Sequence, residues 1–187
     1  TNTITLPPIV GEFSMIPFDL QTLDGLTGVF KSIAKDLLEG IFFTGGTAFL
    51  TVHGKSLKKG QTLRRGGPHT DGSYDSKSMS WGGGWKIGEN GPSVDSEFHK
   101  RLYNAKTGGI ILASNFSACL GWIGEFDGNP GVGGDCSGID LYEPFTLKPN
   151  KVYYGNNHFI HESLPMGEDV HRVFARITMP QDHEYVI

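Results

Sequence analysis

The sequence predicts an all-β domain, either a sandwich, a barrel or a jelly roll, with a single early helix. Three observations carry this. Short apolar runs bounded by turn residues recur from residue 47 to residue 179. Glycine, 27 of 187 residues, falls between those runs with no fixed period, which marks turns and not repeats. One segment alone, from Leu23 to Ile41, repeats its apolar residues at helical spacing.

Residues 1–18 read as extended chain, because Pro7, Pro8 and Pro17 resist helix formation. In the helical segment Leu23, Leu26, Val29, Phe30, Ile33, Leu37 and Ile41 form one apolar stripe. Asp19 or Thr22 can cap its start and Gly40 can end it. A single stripe covers a single surface, so the helix is expected on the outer face of a sheet. "TAFLTVH" (47–53) reads as a strand turned by "GKS". Residues 72–92, rich in Gly, Ser and Trp, read as a long loop. Trp81 and Trp85 within it either pack in the core or close over a substrate. Strands follow at "GGIILASN" (108–115), "CLGWIGEF" (119–126), "GIDLYEPF" (138–145), "KVYYGN" (151–156) and "HRVFARITM" (171–179). No linker interrupts them, so residues 1–187 read as one domain.

Composition narrows the function. Hydrophobic residues make up 37% and charged residues 19%, which fits neither a disordered chain nor a helical membrane protein. A net charge of −4 argues against nucleic acid as the main partner. Arg64-Arg65 and "KSLKKG" read as solvated loop charges. Cys119 and Cys136 are too few for a disulfide scaffold and read as free thiols of a reducing compartment. "TNTITLPPIVGEF" shows no basic region leading into an apolar stretch, so the expectation is a cytoplasmic protein without a membrane anchor.

The chemistry concentrates in "GGPHTDGSYD" (66–75). Glycine and proline fix the backbone, and on an extended chain residues i and i+2 project to the same side, so His69 and Asp71 can approach one ion. A plain hydrogen-bonded turn is the other reading of the pair. A third ligand can come from His158 or His161, but not both, since i and i+3 on a strand face opposite ways. In the last strand Arg172, Phe174, Arg176 and Thr178 share one face, and Val173, Ala175, Ile177 and Met179 the other. Two arginines turned inward call for an anionic partner. Tyr154 and Asn115 are expected to point into the same cavity, in a register that a slip of one residue would reverse.

His69-Thr70-Asp71, a gap of ninety residues, then His161-Glu162-Ser163-Leu164-Pro165 and Arg172 resemble the Fe(II)/2-oxoglutarate-dependent dioxygenases, in a minimal, prolyl hydroxylase-like form. "LKPNKVYYGNNHFIHESLP" is similar to that family's penultimate strands, and the likeness runs from about residue 47 to 180. The resemblance implies a double-stranded β-helix (jelly roll) with the helix packed on the outside. It implies Fe(II) held by His69, Asp71 and His161, and 2-oxoglutarate as cosubstrate. Arg172 would hold the distal carboxylate of 2-oxoglutarate. Arg176 would help or would hold an anionic group of the substrate; by their strand register, either Tyr154 or Asn115 would hydrogen-bond the cosubstrate. The implied reaction uses O2 to hydroxylate or otherwise oxidise a small molecule or a peptide side chain. The alternative is a jelly-roll binding or structural module that keeps the fold without the chemistry.

Overall fold

The structure, a computed structural model, describes residues 2–43, 45–71, 74–75, 80–81, 107–124, 126–127, 130–131, 134–156 and 159–186. Its elements in chain order are β1 (Gly11–Asp19), α1 (Gly28–Leu37), β2 (Phe42–Phe43), β3 (Thr47–Leu57), β4 (His69–Thr70), β5 (Tyr74–Asp75), β6 (Ser80–Trp81), β7 (Thr107–Ser114), β8 (Cys119–Trp122), β9 (Phe145–Thr146), β10 (Tyr153–Gly155), β11 (Ile160–Ser163) and β12 (Val170–Val186). The protein is mainly β, with antiparallel sheets, as the spacing of apolar runs predicts.

β12 is the spine of the larger sheet. It pairs antiparallel with β3 on one side and with β7 on the other. β1 adds outside β3 and β10 outside β7. Toward its C-terminal end β12 also pairs with β2 and, in parallel, with β5 of the β5–β6 hairpin. The smaller sheet runs β4-β11-β8-β9.

Alternation along the strands decides what each face carries. Val173, Ala175, Ile177 and Met179 of β12 are wholly buried and join Ile111 and Ala113 of β7 and Leu50 and Val52 of β3. Ile33, Ala34 and Leu37 of α1 close over them, so the helix covers this face of the larger sheet. The residues between face the other way. Ile110 and Leu112 of β7, Leu57 of β3 and Phe174 of β12 meet Cys119 of β8 and Phe145 of β9 in a second core between the sheets. Trp122, Cys136 and Ile160 make a third cluster beside it.

Several local expectations are corrected. α1 begins at Gly28, with Thr27 at its N-cap, and not near Asp19. Asp19 caps a turn instead: its Oδ1 accepts from the backbone N–H groups of Gln21 and Thr22 and from the Thr22 hydroxyl. Leu23 and Gly25 then take positive φ (59° and 100°), which no helix allows. The strand at 47–53 does not turn at "GKS" but continues to Leu57. Gly54 carries it past the N-terminal segment, where an added Cβ would lie 1.8 Å from the Ile9 carbonyl oxygen. Of 138–145 only Phe145 is in a strand, and β8 stops at Trp122. Within 72–92, the β5–β6 hairpin replaces part of the expected loop, and the rest, Trp85 included, lies outside the described residues. Among the described residues no helix is long and apolar enough to cross a membrane. Cys119 and Cys136 are both buried and free.

Candidate metal site

β4 is two residues long, and it is held from both sides. On one side it pairs with β11, His69 opposite His161 and Thr70 opposite Ile160. On the other, Asp135 bridges His69, and the Cys136 N–H donates to the Pro68 carbonyl at 2.9 Å. Gly134 makes this second contact possible. Its φ is 80°, and an added Cβ would stand 2.2 Å from the Thr70 carbonyl oxygen. The Asp135-Cys136 segment therefore serves as the brace of the His-x-Asp corner.

That bracing brings His69, Asp71 and His161 together, with their ligand atoms all within 4.8 Å of one another. Both imidazoles are buried, with ring centroids 4.7 Å apart. His69 Nδ1 lies 2.7 Å from the Gly67 carbonyl oxygen and His161 Nδ1 lies 3.1 Å from that of Phe159. A carbonyl oxygen only accepts, so each Nδ1 is a donor, and Nε2 is the ring atom each histidine can turn toward a metal. Phe159 also stacks on the His161 ring, 5.4 Å away and tilted by 18°.

His161 Nε2 is 3.3 Å from Asp71 Oδ2. The two atoms can be joined by a proton on Nε2 or by a cation held between them. Two ligand atoms each about 2.1 Å from one ion and at right angles are about 3 Å apart, so the spacing of this His161–Asp71 pair is close to that of two ligands on one divalent ion. The protonation states fit as well. Burial pushes the Asp71 carboxyl up, but the Arg176 guanidinium, His161 and His69 together outweigh burial and hold it well below the usual carboxylate range. Burial, followed by the neighbouring His161, pushes His69 down to about 4, which leaves it neutral at pH 7. A group of two imidazoles and one carboxylate could thus hold a metal ion.

The remaining predicted residues divide. Arg172 is wholly buried, and its partners are neutral: Nη1 donates to Ser163 Oγ at 2.8 Å, Nη2 to Cys119 Sγ at 2.9 Å and Nε to Ser114 Oγ at 3.3 Å. Burial raises the Cys119 pKa, so the sulfur facing this guanidinium is a thiol. Cys119 and Ser163 line a cavity of about 130 Å³ that also takes in His69, Asp71 and His161, and Arg172 stands behind them. Arg176 lines the cavity itself and donates from Nη1 to Asp71 Oδ2. His158 lies outside the described residues.

Tyr154 is a correction. Its ring packs with the helix-side core, and its hydroxyl lies 3.4 Å from Asn2 Nδ2, on the far side of the sheet from the metal ligands. Tyr153 is the residue of β10 that turns inward, so the register is displaced by one. Asn115 is also structural: its Oδ1 accepts from the Val173 N–H at 2.7 Å and its Nδ2 donates to the His171 carbonyl at 3.2 Å. The solvated-loop reading of Arg64 is corrected, since it is half-buried at the cavity wall; Arg65 also borders the cavity but stays exposed, as that reading expects. The signal for Arg64 was its place in "LRRGGPHTD", a few residues ahead of His69 on the same braced loop.

Fold and site together define an all-β protein with a buried candidate site for a divalent metal. Comparison with protein-family models, curated proteins and solved structures finds no match to this chain.

Proposed function

We propose that the chain is a jelly-roll oxygenase that uses Fe(II), 2-oxoglutarate and O2 to hydroxylate or otherwise oxidise an organic substrate. The observation that carries this reading is the meeting of His69, Asp71 and His161 in one cavity, with both Nδ1 atoms tied to backbone carbonyls. Two imidazoles and one carboxylate leave positions of the metal open for a cosubstrate and oxygen. When bound, Fe(II) supplies the activation of O2, coupled to oxidative decarboxylation of 2-oxoglutarate to succinate and CO2.

The chain's own residues bind and orient. His69 and His161 are kept in one tautomer and one plane by Gly67 and Phe159. Arg172 is a fully buried cation with no carboxylate among its contacts, which is a costly arrangement unless an anion arrives. A cosubstrate carboxylate entering past Cys119 and Ser163 supplies that anion, with the Ser163 hydroxyl and the guanidinium fork as its donors. Phe174 and Phe159 give the site apolar neighbours that exclude water.

One observation favours the second reading, a jelly-roll module without catalysis. Arg176 and His161 both approach Asp71 Oδ2, which resembles an internal ion-pair cluster that needs no metal. Succinate release from 2-oxoglutarate under air separates the two. The oxygenase reading expects release that depends on added Fe(II), even without a primary substrate, and its loss in Asp71→Ala. Iron binding with no succinate formed under any condition favours the module.

A further inference from the structure

We propose that Arg64 and Arg176 form a second anion site at the cavity wall, which takes the carboxylate or phosphate of a small organic acid. The word substrate for that acid rests on the oxygenase reading; the anion site itself does not. The first observation is the balance of charge. Arg64, Arg65 and Arg176 line the cavity against two carboxylates, Asp71 and Glu162, in a chain whose net charge is −4. The lining itself carries one positive charge in excess, which the half-exposed Glu12, paired with Arg64 from outside the lining, offsets.

The second observation is that Arg176 is incompletely satisfied. It is nine-tenths buried, it lines the cavity, and its Nε has no hydrogen-bond partner among the described residues while Nη1 is held by Asp71. A buried N–H without an acceptor is costly, and because Nε is sealed from solvent an oxyanion removes that cost once the guanidinium turns toward the cavity. The third concerns Arg64. Burial first, and then the like charge of Arg176, lower its affinity for its proton, so the two guanidinium groups repel across the site. An anion between them turns that repulsion into attraction.

Arg64 is placed for this role. Its guanidinium lies over the Phe174 ring, 5.7 Å from the centroid, which fixes its plane. Its carboxylate partner, Glu12, is 3.1 Å away with a side chain about half exposed (51%), and such a solvent-screened pair is weak enough to yield to a ligand. The cavity, about 130 Å³, is well below the roughly 300–1,000 Å³ of drug-sized pockets, which suits a small acid better than a peptide. Arg172, behind Cys119 and Ser163, and the pair Arg64–Arg176 at the wall would thus serve two different anions, the cosubstrate and the substrate.

The test titrates inorganic phosphate and acetate into the metal-free protein, and into protein holding Zn(II) and N-oxalylglycine, following the Arg64 and Arg176 Nε–H cross-peaks by NMR. We expect saturable shifts with at least one probe; phosphate or acetate as the better ligand tells a phosphate-bearing acid from a carboxylic one. R64Q should weaken binding about tenfold, the equivalent of about 1.4 kcal/mol. E12Q should leave binding unchanged or tighter, because it frees Arg64. Shifts that do not saturate, R64Q binding like the unaltered protein, or E12Q weakening binding as much as R64Q, would each overturn the proposal. Should N-oxalylglycine fail to bind while phosphate or acetate still saturates, the oxygenase reading falls and the anion site stands.

Discussion

The two faces of β12 are one strand apart in nothing but the direction of their side chains, yet they obey different rules. The helix-covered face carries Val173, Ala175, Ile177 and Met179, all apolar and all wholly buried. The face toward the smaller sheet carries Arg172, Phe174, Arg176 and Thr178, buried almost as well. Two of those four are cations, and Arg176 Nε and Thr178 Oγ1 have no hydrogen-bond partner among the described residues. The first face is what burial of apolar area requires. The second is less stable than an apolar face of the same size would be. Its composition makes sense when ligands complete it.

The contrast can be broken first on the apolar side. Ile177→Ala should lower stability by about 2–5 kcal/mol in urea unfolding, since nothing nearby can fill the space. It should leave the affinity for divalent metal within a small factor once the protein is folded. A loss of metal affinity as large as the loss of stability would mean that the two faces are not separable.

The second prediction concerns pH. His69 in the folded protein titrates near 4, below its ordinary 6.5. Between those values the unfolded chain takes up a proton that the folded one refuses. The metal-free protein is therefore at full strength above pH 6.5 and loses stability as the pH falls toward 4, by up to about 3 kcal/mol at 1.36 kcal/mol per unit. Urea midpoints measured across this range should show the slope, and His69→Gln should flatten it.

The smallest change in stability is expected at Arg172. Arg172→Met replaces a buried charge, whose contacts are all neutral, by an apolar chain of similar length, so unfolding should shift by no more than about 1–2 kcal/mol in either direction. The same variant should lose binding of N-oxalylglycine to the Mn(II) form. Strong destabilisation with N-oxalylglycine binding retained would place Arg172 among the structural residues and remove its role as an anion clamp.

How much of this was legible in the sequence follows the same division. The apolar alternation of 171–179 assigns both faces of β12 correctly, because period-two burial is a local signal. The His-x-Asp corner is legible for a related reason, as glycine and proline announce a fixed backbone. Positions whose role depends on distant partners are harder. Tyr154 misleads because β10 is three residues long, too short for alternation to fix its register. Asp19 misleads because a residue that caps a helix also caps a turn. Arg64 reads as a solvent charge, despite its place just ahead of the His-x-Asp corner, because the cavity beside it is completed only by β11 and β12, far later in the chain. The brace at 134–136 is invisible locally, since its need for glycine comes from the Thr70 carbonyl, more than sixty residues earlier.

The central claim is that three side chains from the 69–71 corner and β11 hold one divalent ion. Titration of the metal-free protein with Mn(II), followed by electron paramagnetic resonance, tests it most directly. The account predicts one saturable site per chain, lost or weakened at least about a hundredfold in Asp71→Ala and in His161→Ala, a loss of about 2.7 kcal/mol or more. The same stoichiometry and affinity in either variant, or no saturable site in the unaltered protein, would contradict it.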